Sequence, residues 1–354
     1  MGALATSRRG AVLPYCDARR FFPEQALMMP RLTMRATACQ CFTLCSLIGF
    51  LAFAPDAWAQ EGPACDAASV AATFRSGHLA QLEAIYRRAR EPRSTCPAKT
   101  TFCTGRLVGI LYRNAVIAGA STMKTGELRE TIRKGKSFGA PWQLLVAEGD
   151  LEFEDGLKGD KRAYGRAARA YEMAVNDLAE EPACAAFGEP GAPPSAQIAG
   201  LRRRMTEAKL LAPAFELVRT RDGQCGGVFL TKVRGFAAES TPLPIEFDTD
   251  STTFTAKGRQ AADALAECVT ARSFASIRLT GHADMRGTDD YNMKLSARRL
   301  QAVKQLLVDR GFTGRIVLEP KGKRQPYRSA DAGRLSEDEI LQLNRRVELA
   351  GGEP

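Results

Sequence analysis

Short β-prone runs alternate with helical runs from about Leu243 to the end of the chain, and this alternation constrains the fold more than any other feature. Candidate strands lie at 244–247, 276–283, 316–319 and 346–349, and candidate helices lie at 255–270, 292–310 and 336–343. Gly311 follows the second helix at the position where a left-handed residue ends helices. This order predicts an α/β sandwich, a mixed sheet with its helices on one face.

The preceding region has a different pattern. Ala, Leu, Arg and Glu dominate it and strand-like alternation is scarce, which predicts helices at 67–89, 104–118, 126–135, 141–153, 164–178 and 195–211. The β-prone runs around Asp222-Gly223 predict a hairpin. The whole chain is therefore expected to be α+β, with a presequence at 1–59, an all-helical domain at 60–212, a hairpin and linker at 213–242, and the sandwich at 243–354.

The N-terminus carries a candidate export signal. The apolar run at 41–54 is shorter than the roughly 20 residues that span a bilayer, and an Ala-Trp-Ala sequence follows at 57–59. We expect cleavage before Gln60 and a true start at Met34, or at Met28 or Met29. We also expect a periplasmic protein without an integral membrane segment, which leaves association with the outer membrane or the wall open. A retained N-terminal anchor is the alternative. No cysteine lies in a lipobox directly after the apolar run, so a lipid anchor is not expected.

Cysteine and charge usage agree with export. After the expected cleavage six cysteines remain, an even number that indicates disulfides in an oxidising compartment without fixing their pairing: Cys65, Cys96, Cys103, Cys184, Cys225 and Cys268. No Cys-x-x-Cys spacing occurs and the chain has two histidines, so neither a structural zinc nor another cofactor is expected. The net charge of +10 lacks the aromatic-interleaved basic runs of nucleic-acid binders, so no nucleic-acid partner is expected.

One pair of predicted helices resembles a tetratricopeptide unit. The small and aromatic residues that carry the likeness are Trp142, Leu145 and Gly149 on the first helix and Ala167, Tyr171 and Ala174 on the second. The intervening turn, placed at 155–160, is longer than is usual in such repeats. An ordinary helical bundle is the alternative. If the resemblance holds, this domain binds a protein partner.

The helix after Asn292 carries a charged residue on its apolar stripe. Arg299 falls among Leu295, Val303 and Leu306 at 100° per residue, and a guanidinium on a core-facing line is costly unless it is paired or lies at a pocket. Asp284 ends the preceding strand, so the two side chains are expected to face one cleft. The alternative is that Arg299 reaches out to solvent or ties down a loop.

The same residues belong to a longer signature. The run Gly281-His282-Ala283-Asp284-Met285-Arg286-Gly287, then Tyr291-Asn292, Leu295-Ser296 and Arg299, and finally Asn344-Arg345-Arg346-Val347, resembles the OmpA C-terminal family of peptidoglycan-binding domains, which includes Pal and MotB. The resemblance also covers Ile245 to Asp248 and the turn from Gly322 to Pro326. It spans about 110 residues and does not cover the helical domain.

The resemblance implies a ligand, the diaminopimelate of the peptidoglycan stem peptide. It implies that Asp284 holds the ligand's ammonium and Arg299 its α-carboxylate, which a planar guanidinium can grip through two hydrogen bonds. It further implies that Asn292 bonds the ligand or the loop and that Phe247 and Asp248 line the other side. His282 is expected to be structural. The expected protein is a non-catalytic link between peptidoglycan and a partner of the helical domain.

Some residues depart from the family pattern, and two other functions stay open. Leu300, Lys323 and Arg324 replace residues that the family usually has. A wall-targeted enzyme would need a catalytic group between residues 60 and 240, where His78 is the only histidine and a carboxylate series looks like a solvated helix face: Glu148, Asp150, Glu152 and Glu154. A secreted scaffold with an unused site is the other alternative.

Overall fold

The computed structural model describes residues 65–179, 184–216 and 240–350, which form an α+β structure with a mostly helical first part. The helices are α1 Ala67–Arg75, α2 Leu79–Ala89, α3 Ala98–Gly119, α4 Thr125–Phe138, α5 Trp142–Leu157, α6 Lys161–Ala179, α7 Ser195–Leu211, α8 Ala256–Ala271, α9 Asp289–Asp309 and α10 Glu337–Asn344. The strands are β1 Ser240–Leu243, β2 Ser276–His282, β3 Arg315–Gly322 and β4 Val347–Ala350. The predicted presequence and hairpin lie outside the described residues.

The four strands form one mixed sheet in the order β1-β4-β2-β3. β4 runs antiparallel to both β1 and β2, whereas β2 and β3 are parallel. Leu279 of β2 shares a buried core with Leu265 of α8 and Leu300 of α9. The sandwich predicted from the alternation of strands and helices is confirmed.

Local signals place the two central helices of the sandwich. The Thr255 hydroxyl accepts a hydrogen bond from the Gly258 amide at 3.0 Å and so caps α8 at its start. Gly311 has a φ of 88° directly after α9, which confirms the predicted left-handed stop. The apolar stripe of α8 is buried throughout: Ala262, Leu265, Cys268 and Val269.

The first strand lies earlier than predicted. Ser240 to Leu243 pair with β4, whereas the predicted strand at 244–247 is irregular apart from a bridge between Phe247 and Phe254. Pro242 lies within this strand opposite Glu348, which is tolerated because β1 is at the edge of the sheet.

Two predictions for the helical region are wrong in detail. The helix predicted at 67–89 is two helices, because the chain turns at Gly77 with a φ of 72°. The turn predicted at 155–160 is shorter, because α5 continues to Leu157 and α6 begins at Lys161. Gly149 lies against the ring of Tyr171, where a Cβ would meet Tyr171 Cε1 at 2.5 Å. The tetratricopeptide resemblance of this pair stays a prediction.

Disulfides link distant parts of the helical region. Cys65 is bonded to Cys96 and Cys103 to Cys184, and Cys268 of the sandwich is also disulfide-bonded. The second bond joins α3 to the 3-10 turn Ala185–Phe187, 81 residues later in the chain. Over the described ranges, no helix has the length and apolar character needed to cross a membrane.

The helical region and the sandwich share a hydrophobic core. Leu335 and Leu343, from the segment between β3 and β4, are buried in the same cluster as Met205 and Leu210 of α7. Polar contacts surround this cluster: the Tyr164 hydroxyl donates to Glu339 at 2.7 Å. The segment after β3 is therefore held from the helical side.

Candidate ligand-binding cleft

A cleft opens where the end of β2, the start of β4, α9 and the irregular segment after β1 meet. Its lining is Ile245, Glu246, Phe247, Gly281, His282, Ser296, Arg299, Arg345, Arg346 and Val347. Gly281 permits the close approach of α9, because a Cβ there would lie 2.8 Å from Leu300 Cγ. Leu300, a departure from the family pattern, thus occupies the space over this glycine.

Arg299 lies in the cleft wall and is 7% exposed. Its Nε donates to the Ser251 carbonyl at 2.9 Å and its Nη2 to the Asp248 carbonyl at 3.0 Å, and its guanidinium lies 5.1 Å from the centre of the Phe247 ring. Burial lowers the pKa of Arg299, while the charge of Asp284 opposes that shift. The Arg299 side chain therefore both fixes the 248–251 loop and lines the cleft.

Asp284 lies beside the cleft without contacting Arg299. Its carboxylate accepts hydrogen bonds from the Arg286 backbone N–H at 3.1 Å and from Arg286 Nη2 at 2.7 Å, and Arg345 Nε lies 4.0 Å away. Partial burial raises the pKa of Asp284, but the bonds to Arg286 and the charge of Arg345 outweigh it and lower that pKa. Asp284 is therefore a carboxylate at neutral pH.

The loop that presents Asp284 is fixed by hydrogen bonds to its backbone. Asn292, 3% exposed, donates from Nδ2 to the Arg286 carbonyl at 2.5 Å, and Lys323 Nζ donates to the Gly287 carbonyl at 2.8 Å. Gly287 has a φ of 77°, a conformation that glycine adopts without strain. Asn292 thus bonds the backbone of the loop. Lys323, which departs from the family pattern, bonds the same loop from the end of β3.

Two further predicted residues take different places. Phe247 is buried, lines the cleft and stacks on Phe254 with ring centres 4.7 Å apart. Asp248 has an exposed side chain, and it is the backbone carbonyl that meets Arg299.

Sequence reasoning missed Arg345 as a site residue. It lies in the closing signature, lines the cleft together with Arg299, and its Nε lies 4.0 Å from Asp284. The closing signature at 344–347 was the signal that could have identified Arg345. Its neighbours Asn344 and Arg346 bond other residues of the protein. Asn344 accepts from the Tyr327 amide at 2.9 Å, and Arg346 pairs with Glu348 at 2.8 Å.

His282 ends β2 and is buried at the cleft. Its backbone N–H donates to the Arg346 carbonyl at 3.1 Å, and its Nε2 lies 3.4 Å from Glu348. Burial and the charge of Arg346 lower its pKa to about 4, against the opposing charge of Glu348. His282 is therefore neutral at pH 7.

The carboxylates considered for an enzyme are engaged in ion pairs. Glu148 pairs with Lys136 and Glu154 with Arg334, while Arg129 and Arg166 both bond Glu152. The interpretation as a solvated helix face is wrong, because Glu152 and Glu154 are buried between packed helices. Asp150 bonds the Tyr171 hydroxyl at 2.7 Å. Among the described residues no cluster of His, Cys, Asp and Glu is arranged to hold a metal ion.

Comparison with known proteins bears on the sandwich alone. The model of the OmpA family matches residues 246–336. Outer membrane protein A of Bordetella avium is 40% identical over 104 residues, which cover 29% of this chain and 51% of that protein. The peptidoglycan-associated lipoprotein of Rhizobium meliloti (strain 1021) is 40% identical over 88 residues, which cover 25% and 50%.

A solved structure, the peptidoglycan-associated lipoprotein from Burkholderia pseudomallei, is 25% identical and has a TM-score of 0.24, with 32% of this chain and 89% of that one covered. The chain spans about half the length of the curated relatives named above. The match of the family model confirms the resemblance seen in the sequence over residues 246–336. The C-terminal part of this chain is an OmpA-like domain.

Proposed function

We propose that the protein binds peptidoglycan through the cleft of its OmpA-like domain, with the free amino-acid centre of diaminopimelate as the bound group. The observation that carries the proposal is that an ionised Asp284 lies beside the cleft whose wall contains the buried guanidinium of Arg299. A zwitterionic amino-acid centre needs one anion and one cation at the site, and these two side chains supply them.

Arg299 is suited to receive the ligand's carboxylate. A guanidinium has five N–H donors, and the carbonyls of Asp248 and Ser251 use two of them. These bonds and the Phe247 ring fix its plane before a ligand arrives, so little conformational entropy is lost on binding. Among the described residues no carboxylate bonds this buried guanidinium, so a ligand carboxylate gains more here than at a solvated arginine.

Asp284 is the acceptor for the ligand's ammonium. Arg286 bonds this carboxylate, but the Arg286 side chain is 59% exposed and can swing into solvent. Arg345 gives the cleft a second positive charge near Asp284. We infer that it contacts the ligand's carboxylate side or a neighbouring carboxylate of the stem peptide.

The wider role follows from the relatives. By name, one of the two curated relatives is an outer membrane protein and the other a peptidoglycan-associated lipoprotein. We therefore place this protein in the periplasm, at the cell wall or outer membrane. It acts there as a non-catalytic link, with the helical region holding a protein partner. The ion-paired state of the helical carboxylates favours this function over a hydrolase.

The test is sedimentation of residues 60–354 with purified diaminopimelate-type peptidoglycan. We expect the wild type to sediment and Asp284→Ala and Arg299→Ala to stay in solution, because removing one partner of a desolvated charge pair costs about 2–5 kcal/mol. Wall that contains lysine in place of diaminopimelate is the ligand control and should bind weakly.

Asp263→Ala and Arg310→Ala are the matched protein controls. These residues form a half-exposed pair at 2.7 Å on α8 and after α9 and should leave sedimentation unchanged. Wild-type protein that stays in solution, or site variants that sediment like the wild type, would mean that this cleft is not used for the wall.

A further inference from the structure

One backbone carbonyl of the helical region contacts two residues that hold the cleft. The Leu210 carbonyl, in the last turn of α7, accepts from Lys257 Nζ at 2.6 Å and from Gln342 Nε2 at 2.8 Å. The last carbonyls of a helix have no partner within it and carry partial negative charge, so they suit an ammonium and an amide donor. Both donors belong to the OmpA-like part of the chain.

Lys257 carries this contact to one wall of the cleft. The same Nζ donates to Glu246 Oε1 at 2.7 Å, and Glu246 lines the cleft next to Phe247. Lys257 is 6% exposed, so it makes these bonds away from competing water. The position of the segment after β1 thus depends on where α7 ends.

Gln342 carries the contact to the other wall. It lies in α10, and its backbone carbonyl accepts from the Arg345 amide at 3.1 Å, where the helix ends and the cleft-lining run begins. Its side chain also lies 3.4 Å from Glu246 Oε1. Gln342 therefore connects α7 to the arginine that approaches Asp284.

Other contacts fix α10 and the segment before it to the helical region. Glu339 bonds Lys161 and the Tyr164 hydroxyl, and Arg334 lies 2.5 Å from Glu154. With Leu335 and Leu343 buried in the helical core, α10 can move only if these contacts break. The segment that precedes Arg345, including α10, is thus fixed by contacts with the helical region along its length.

Building on the proposed function, we propose that Lys257 and Gln342 are positioning residues: through the Leu210 carbonyl they let α7 set the spacing of the two cleft walls, so that the helical region controls affinity for the wall. Neither residue lines the cleft. By thermodynamic reciprocity, a ligand that fixes the cleft also stabilises the contact with α7. A partner that displaces α7 would then loosen the grip on peptidoglycan.

The test compares Gln342→Met with Gln305→Met in the chain from residue 60. Gln305 also donates a side-chain hydrogen bond, to Asp309 at 2.8 Å, but on the exposed face of α9. Affinity for a soluble diaminopimelate-containing muropeptide is measured by calorimetry, at a temperature where circular dichroism shows both variants folded. We expect Gln342→Met to bind about three- to tenfold more weakly, the factor for about one hydrogen bond, and Gln305→Met to match the wild type.

Hydrogen exchange without ligand gives an independent arm. We expect faster exchange of the amides at 343–347 in Gln342→Met, with the amides of β2 and β3 unchanged, which separates positioning from general destabilisation. Equal affinity in both variants would overturn the proposed control of binding while leaving the proposed function intact. If the wild type binds no muropeptide, the proposed function fails, and unchanged exchange at 343–347 would refute the positioning role as well.

Discussion

Arg299 and Arg345 at the cleft are charged side chains that form no close ion pair with a described carboxylate. Arg299 keeps its charge because a guanidinium does not deprotonate in proteins, yet its hydrogen bonds go to carbonyls and not to a carboxylate. Arg345 Nε lies 4.0 Å from Asp284, beyond hydrogen-bond length. The cleft thus carries excess positive charge, and this favours an anionic group on the ligand.

His282 makes the stability of the protein depend on acid pH. Its pKa is lowered to about 4 in the folded protein, against about 6.5 in the unfolded chain, so the unfolded chain binds more protons between these values. Its contribution is present above about pH 6.5 and is lost as the pH falls towards 4, by up to about 3 kcal/mol.

Urea unfolding of the wild type and His282→Gln across pH 4 to 7.5 measures this contribution. The wild type should lose stability towards pH 4 more steeply than the variant. His78→Gln makes the same substitution at an exposed position and should follow the wild-type profile. Parallel profiles for the wild type and His282→Gln would show that this ring does not titrate differently in the folded protein.

Among the elements, α8 depends on one glycine for its distance from the cleft wall. A Cβ on Gly258 would lie 1.9 Å from the Glu246 carbonyl oxygen and 2.6 Å from the Glu246 nitrogen, both backbone atoms that cannot rotate away. We expect Gly258→Ala to lower the free energy of unfolding by about 1–3 kcal/mol or more, as overpacking does.

Gly200→Ala in α7 is the matched control, because its Cβ would meet nothing within 4 Å. There the alanine should raise the free energy of unfolding by about 0.5–1 kcal/mol through its helix propensity. Chemical denaturation of both variants checks the opposite signs. A Gly258→Ala protein as stable as the wild type would contradict the close packing of α8.

Elements with local signals were predictable from the sequence, and elements fixed by distant contacts were not. Thr255 and Gly311 mark the ends of α8 and α9 through caps, and the 3.6-residue period exposes Arg299 as a misplaced charge. The role of Arg345 depends on β4 lying beside β2, which no local pattern encodes. The first strand was misplaced because Ile245 and Phe247 are as deeply buried as strand residues.

At the scale of the molecule, apolar periodicity predicts that a residue is buried but not whether it packs in the sandwich or in the helical region. Leu335 and Leu343 have the spacing of an amphipathic segment, and the sequence assigned them to the sandwich. They pack instead into the core of α5, α6 and α7. The family model ends at residue 336, within this shared segment, so the contact between the two parts of the chain lies at the margin of what the resemblance covers.

The contact between the helical region and the OmpA-like domain also contains a buried carboxyl group, that of Glu207. Its effect on the pH dependence of stability is opposite to that of His282. Glu207 of α7 is 2% exposed, and burial raises its pKa to about 7, although a hydrogen bond with Ser329 and the charges of Arg203 and Arg204 act against the shift and Asp331 adds to it.

Because the folded protein holds this proton up to about pH 7 and the unfolded chain releases it near 4.5, stability falls as the pH rises through that window, by up to about 3 kcal/mol. Glu207→Gln removes the titration and should be more stable than the wild type above pH 7, with the difference vanishing near pH 4.5. Urea unfolding at pH 4.5, 6 and 8 measures it, with Glu91→Gln at an exposed position as the control. A pH-independent difference would show that Glu207 stays ionised at the contact, and the helical region would then be held to the OmpA-like domain with equal strength across this range.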